Sequence, residues 1–150
     1  MTLAVVTDSA AFLPPALAAE RGIGVVELHA IEGDDGATTA RPSVAELAEA
    51  YETALSGADE VLALHLTAVL SGTIDNARLA AARFGGRVRV LDLGVSAGAL
   101  GLAALAAADA DDARRGAARA RDSASRSRIF FLVDSLSHPV SYTHLTLPTT

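Results

Sequence analysis

Three features predict an α/β fold, a mostly parallel sheet with helices on both faces. The apolar, β-branched runs lack the polar alternation of a sheet with one wet face. Helical stretches separate these runs, and turn residues punctuate each junction. The first strand is Leu3 to Thr7, ending at Asp8-Ser9. Pro14-Pro15 opens a short helix to about Glu20, because proline is tolerated in a first turn. Gly24 to Ala30 reads as a second strand, and the turn-rich segment Gly33 to Gly36 follows it. Ser43 and Glu46 have capping-box spacing and start a helix through Leu55. Val61 to Leu66 is the third strand and Thr73 to Phe84 its helix, stopped by Gly85-Gly86. Val88 to Leu91 is the fourth strand. Ser96 to Ser125 is rich in alanine and suits one or two helices broken near Asp109 to Asp112. Ile129 to Val133 reads as a last strand.

A chain of 150 residues is one domain with a sizeable core. Hydrophobic content is 51% and mean hydropathy is positive, yet no apolar run reaches the ~18 residues of a membrane span. An integral membrane segment is therefore not expected. The first apolar run is cut early by Asp8 and has no basic residues ahead of it, unlike a secretory signal. The chain has no cysteine, so it has neither a disulfide framework nor a thiolate metal site, which fits a cytoplasmic protein. A net charge of −6 argues against nonspecific nucleic-acid binding. All twelve basic residues are arginine, which rules out a P-loop, kinase-type or Schiff-base lysine within this chain.

In a sheet of this kind ligands gather beyond the carboxyl ends of the strands. Three polar clusters fall at such positions: Thr7-Asp8-Ser9, Thr38 to Ser43, and Ser71-Gly72-Thr73. Each alone suits a structural turn or cap. Together they form a rim rich in hydroxyls and poor in charge. The third opens a helix, where unpaired N–H groups and the macrodipole favour an anion. Neutral donors there can hold a carboxylate or phosphate. No strong nucleophile-base-acid set accompanies them, so the first reading is an anion-holding site and the second a chemical one.

These clusters resemble the signatures of the DegV family, the fatty-acid-binding proteins of bacterial fatty-acid kinase systems. A V-T-D-S-x-x-D-L-P-like opening is similar to Val6-Thr7-Asp8-Ser9 followed by Leu13-Pro14. A T-S-[QR]-P-S segment resembles Thr39-Ala40-Arg41-Pro42-Ser43, and S-S-x-L-S-G-T resembles Thr67 to Thr73. Asp92 to Gly101 loosely matches D-S-x-x-x-S-M-G-L-G, and Phe130 to Leu136 resembles the strand and turn at the family's domain boundary. Order and spacing agree over residues 1 to about 138. The family's serines are replaced by Thr67, Ala68, Ala40 and Leu93.

The resemblance implies a carrier, not an enzyme. A long-chain fatty acid would place its tail in an apolar tunnel and its carboxylate near the surface, for phosphorylation by a separate ATP-dependent kinase subunit. The family's carboxylate-binding threonine and serine fall on Thr39 and Ser71. Asp8, Ser9, Gly72 and Thr73 would form the rim or a supporting layer. No cofactor is implied. The family also has a second domain that closes over the ligand, and here the pattern stops after His138. Residues 139 to 150 resemble a translated sequencing adaptor and are set aside as non-native, so His138 and His144 receive no role.

His29 and His65 sit in strand-like segments and read as core or rim residues, with no metal site predicted. The arginines from Arg114 to Arg128 read as a solvated helix face paired with nearby aspartates. They could instead dock a kinase subunit. Two rival functions have weaker support. A small serine hydrolase would use Ser71 as nucleophile, His65 as base and Asp8 as acid, but the G-x-S-x-G elbow is absent. A nucleotide-binding domain would need a glycine-rich or Walker sequence that is also absent.

Overall fold

In chain order the first elements are β1 (Leu3–Asp8), a 3-10 turn (Ser9–Ala11), α1 (Pro15–Glu20) and β2 (Gly24–Val26). β3 (His29–Gly33), β4 (Gly36–Ala40), α2 (Val44–Leu55) and β5 (Glu60–Leu64) follow. The chain continues through α3 (Thr73–Ala81), a 3-10 turn (Ala82–Phe84), β6 (Val88–Leu91), α4 (Ala97–Ala108) and α5 (Ala113–Arg126). This computed structural model describes residues 2–33 and 36–128, without the side chains of 30–39. The expected strand over Ile129 to Val133, the motif over 130–136 and the 139–150 tail lie outside the described residues.

Four parallel strands form one sheet in the order β2-β1-β5-β6. Val5 aligns with Leu62, Val6 with Gly24 and Ala63, and Leu62 with Arg89. Apolar residues on both sides of these strands require covers on both faces. One face packs Val5, Leu62 and Leu64 against Leu100, Ala103, Ala107, Ala117 and Ala120 of α4 and α5, with Ala18 of α1. The other packs Val6, Val61 and Ala63 against Leu47 and Tyr51 of α2 and Ala77 and Ala80 of α3. Each fully buried leucine contributes about 1.5–3 kcal/mol through lost contact with water.

α4 packs against α5, β1, β5 and the first 3-10 turn, while Leu102 on its outer side stays exposed. Gly101 allows the last of these contacts: a Cβ there would lie 2.6 Å from the Ala11 carbonyl oxygen. Ser43 caps α2 as its spacing with Glu46 predicts, since the Ser43 hydroxyl accepts from Glu46 N–H and the Glu46 carboxylate accepts from Ser43 N–H. Gly85 leaves the second 3-10 turn at φ +58, so the helix stops where the glycine pair predicts. On α5, Arg115 and Arg126 pair with Asp112 and Asp122 at helical spacing, as expected of a solvated face.

Two sequence expectations are corrected. Gly24 to Ala30 is two strands, β2 and β3. β1 ends at Asp8, opposite Val26, and offers no ladder beyond it. The Ser9 hydroxyl then takes the Leu28 N–H at 2.9 Å, turning the chain away from the sheet. Thr38, Thr39 and Ala40, read as loop, are strand residues of β4, antiparallel to β3 with Thr39 opposite Ala30. The Gly33 to Gly36 segment is thus the turn region of a hairpin, with Asp34 and Asp35 outside the described residues. No helix among the described residues is long and apolar enough to cross a membrane.

Candidate functional site: the head of α3

The connection from β1 leads to β2 on one side, while β5 and β6 extend the sheet on the other. The carboxyl ends of β1 and β5 therefore flank a topological switch point, where open α/β sheets bind ligands. Ser9 leaves β1 there, and the loop from His65 to Gly72 leaves β5 toward α3.

That loop is tightly tied. Thr67 carbonyl accepts the Leu70 and Ser71 N–H groups at 3.0 and 3.2 Å. Asp92, at the end of β6, accepts the Ala68 N–H at 3.2 Å and, with its other oxygen, the Gly94 N–H at 2.9 Å. Ser71 is half-buried. Its hydroxyl accepts the Thr73 N–H at 3.3 Å and lies 2.9 Å from the Thr73 hydroxyl, which is fully buried. Ser71 and Thr73 thus form one hydroxyl pair at the start of α3.

Asp8 anchors the other side of this rim. Its Oδ2 accepts the Leu66 N–H at 2.8 Å and lies 3.1 Å from His65 Nδ1, while its Oδ1 accepts the Ala10 N–H at 3.0 Å. His65 Nε2 is 2.8 Å from the Tyr51 hydroxyl, and all three side chains are buried. The arrangement that satisfies every atom has Tyr51 O–H donating to Nε2 and Nδ1–H donating to Asp8. Burial, and then the Asp8 carboxylate, push the Tyr51 phenol well above its ordinary range, so it remains a donor. The Asp8 carboxylate is therefore spent inside the protein. Its network joins the end of β1, the β5 loop and α2. Ser9 is likewise engaged by Leu28 N–H.

This geometry does not support the hydrolase alternative with His65 as its base. That role needs an imidazole nitrogen facing the Ser71 hydroxyl, but both His65 nitrogens are taken by Asp8 and Tyr51.

The segment after β4 meets the head of α3. Asn76 of α3 donates to the Pro42 carbonyl at 2.9 Å. The exposed Arg41 side chain lies over Gly72, where a Cβ would come within 2.9 Å of Arg41 Cδ and 3.1 Å of Cζ. Thr39 lies two residues before Arg41 on β4, and its side chain is outside the described part. The second and third polar clusters are thus joined through Arg41, Pro42 and Asn76. The expected site residues do not include Asp92 or Arg41. The only local signals are an aspartate ending a strand and a lone charge in a hydroxyl-rich segment.

Beside Ser9, an open groove of about 590 Å³ is lined by Phe12, Leu13, Pro14, Ile23 and Val25. Phe12, at its mouth, is 75% exposed. Thr7, one residue before Asp8, has a fully buried hydroxyl with no partner among the described residues.

A profile of the family described as "Uncharacterised protein, DegV family" matches residues 28–139. A DegV domain-containing protein of Deinococcus radiodurans is 42% identical over 131 aligned residues, covering 73% of this chain and 47% of the relative. Among solved structures, a DegV family protein from Corynebacterium glutamicum superposes with a TM-score of 0.78 at 37% identity, over 84% of this chain and 50% of that one. A DegV family protein from Thermus thermophilus, whose structure concerns fatty acid binding, superposes at 0.75 with 30% identity, over 83% and 54%. The chain spans about half the length of the curated relatives it matches. The profile covers most of the chain and the fold matches over 84% of it: this chain belongs to the DegV family.

Proposed function

We propose that this chain is part of a cytoplasmic, non-catalytic carrier that binds a long-chain fatty acid and holds its carboxylate at the head of α3. The observation that carries this reading is the meeting of the Thr39–Ser43 and Ser71–Thr73 segments beside the switch point. Ser71 supplies a half-buried hydroxyl already poised between donor and acceptor roles. Thr39, on the adjoining strand end, supplies the second hydroxyl. Gly72 and Thr73 form the rim, while Asp8 and Ser9 hold its backbone in place. The fatty acid binding described for the Thermus thermophilus protein supports the choice of ligand.

Two neutral hydroxyls suit a carboxylate that must stay reactive. They stabilise its charge without a buried ion pair and leave an oxygen accessible to a kinase subunit carrying ATP. The groove beside Ser9 offers apolar surface for part of the tail, where each buried methylene contributes about 0.8 kcal/mol. In this reading residues 1–138 form the head-group domain of a two-domain carrier.

Calorimetric titration with oleate tests the proposal. Ser71→Ala should weaken binding by about 1.5–3 kcal/mol, the value of a hydrogen bond to a charged group. Unchanged affinity would remove Ser71 from the site.

A further inference from the structure

We infer that Arg41 is the cation that makes this site select ionised lipids over neutral ones of the same chain length. The inference rests on the carrier reading above and adds a charge-recognising residue to its hydroxyl pair.

Arg41 differs from the other arginines whose contacts are described. Arg21, Arg115, Arg119 and Arg126 each face an aspartate, and Arg87 donates to the Asp59 carbonyl. Among the described residues, Arg41 has no carboxylate within ion-pair distance and donates no hydrogen bond. Glu46, in the first turn of the next helix, is occupied by Ser43 N–H and by His29. Asp75, in the first turn of α3, makes no ion pair with Arg41.

The guanidinium nevertheless occupies a defined place. Its stem crosses Gly72 in the space that any Cβ would fill, one residue from Ser71 and one from Thr73. A planar fork of donors held beside two hydroxyls matches a carboxylate better than a point charge does. The carboxylates nearby face other groups: Asp8 accepts from His65 and backbone N–H groups, and Asp92 accepts from the Ala68 and Gly94 N–H groups. Arg41 thus carries the positive charge at this rim among the described residues. A neutral ester or alcohol could accept a hydrogen bond from it but would lack the attraction between opposite charges.

Calorimetry on the whole chain with oleate and methyl oleate tests the assignment, using Arg41→Gln, Gly72→Ala and Ser71→Ala. Arg41→Gln should weaken oleate binding about tenfold and methyl oleate binding far less. It should also flatten the salt dependence of oleate binding, since a solvent-exposed charge is screened by ions. Gly72→Ala, which keeps the charge but fills its seat, should lower oleate affinity in the same direction. Arg41 is exposed, so denaturation midpoints should stay level across the Arg41 variant.

Equal loss for the acid and the ester would make Arg41 a packing residue and overturn the inference. Undiminished oleate affinity in Arg41→Gln, beside a clear loss in Ser71→Ala, would overturn it while leaving the carrier reading intact. No oleate binding by the unaltered chain would overturn both.

Discussion

Thr7 and Asp8 are adjacent and fully buried, yet they have opposite relations to the protein around them. Asp8 engages two N–H groups and an imidazole, whereas the Thr7 hydroxyl finds no partner among the described residues. Removing Asp8 leaves a neutral imidazole N–H and two backbone N–H groups without their acceptor, at a cost of about 1–3 kcal/mol for a buried unsatisfied donor. Asp8→Ala should therefore lower stability by that amount in urea denaturation. A loss below about 1 kcal/mol would mean that the network contributes little. Thr7→Val removes an unpaired hydroxyl and keeps the shape, so stability should be unchanged or higher. A clear destabilisation of Thr7→Val would reveal a partner for that hydroxyl.

At the scale of elements, close approach decides which helices reach the sheet. Gly101 on α4 and Gly116 on α5 both sit where a Cβ would meet a neighbour. At Gly101 the neighbour is the Ala11 carbonyl, fixed in the 3-10 turn. At Gly116 it is the end of the Leu3 side chain at 2.7 Å, with Leu62 at 3.2 Å, and side-chain ends can turn aside. Alanine favours a helix over glycine by about 1 kcal/mol, and overpacking costs about 1–3 kcal/mol. Gly101→Ala should thus be destabilising and Gly116→Ala close to neutral, as thermal denaturation can compare directly. The capping box at Ser43 and the α4/α5 break near Asp109 to Asp112 are legible in the sequence, because their partners lie three or four residues apart. The β2/β3 split is not legible: it depends on where β1 ends and on a Ser9–Leu28 hydrogen bond across nineteen positions.

For the whole molecule, acid stability follows from carboxylates used as caps and ties. The Ser43 N–H, and then His29, hold the Glu46 carboxyl below its ordinary 4.5. The Thr2 N–H is the main cause that keeps Asp59 below 3.8, and it ties β1 to the turn before β5. Because the folded values are depressed, these contributions are present above the unfolded values. They are lost as pH falls through the folded ones. Glu46→Gln should flatten the fall in stability below pH 4.5, and Asp59→Asn the fall below pH 3.8, measured by denaturation at stepped pH. Acid limbs parallel to that of the unaltered chain would show that neither tie matters.

The sequence by itself determines the α/β class, the strand-helix rhythm and the three polar clusters, because each depends on periodicity or on neighbours within a turn. It also determines the family, through motifs in fixed order. Only the tertiary structure decides what the clusters do to one another. Asp8 and His65 are 57 positions apart, and no local pattern shows that they engage each other and so keep His65 from acting as a base for Ser71. Arg41 and Gly72 meet because β4 and α2 deliver one to the head of α3 and a missing Cβ makes room for it. Contacts of this kind depend on how crossovers place strand ends at the switch point, and no local stretch of sequence contains that geometry.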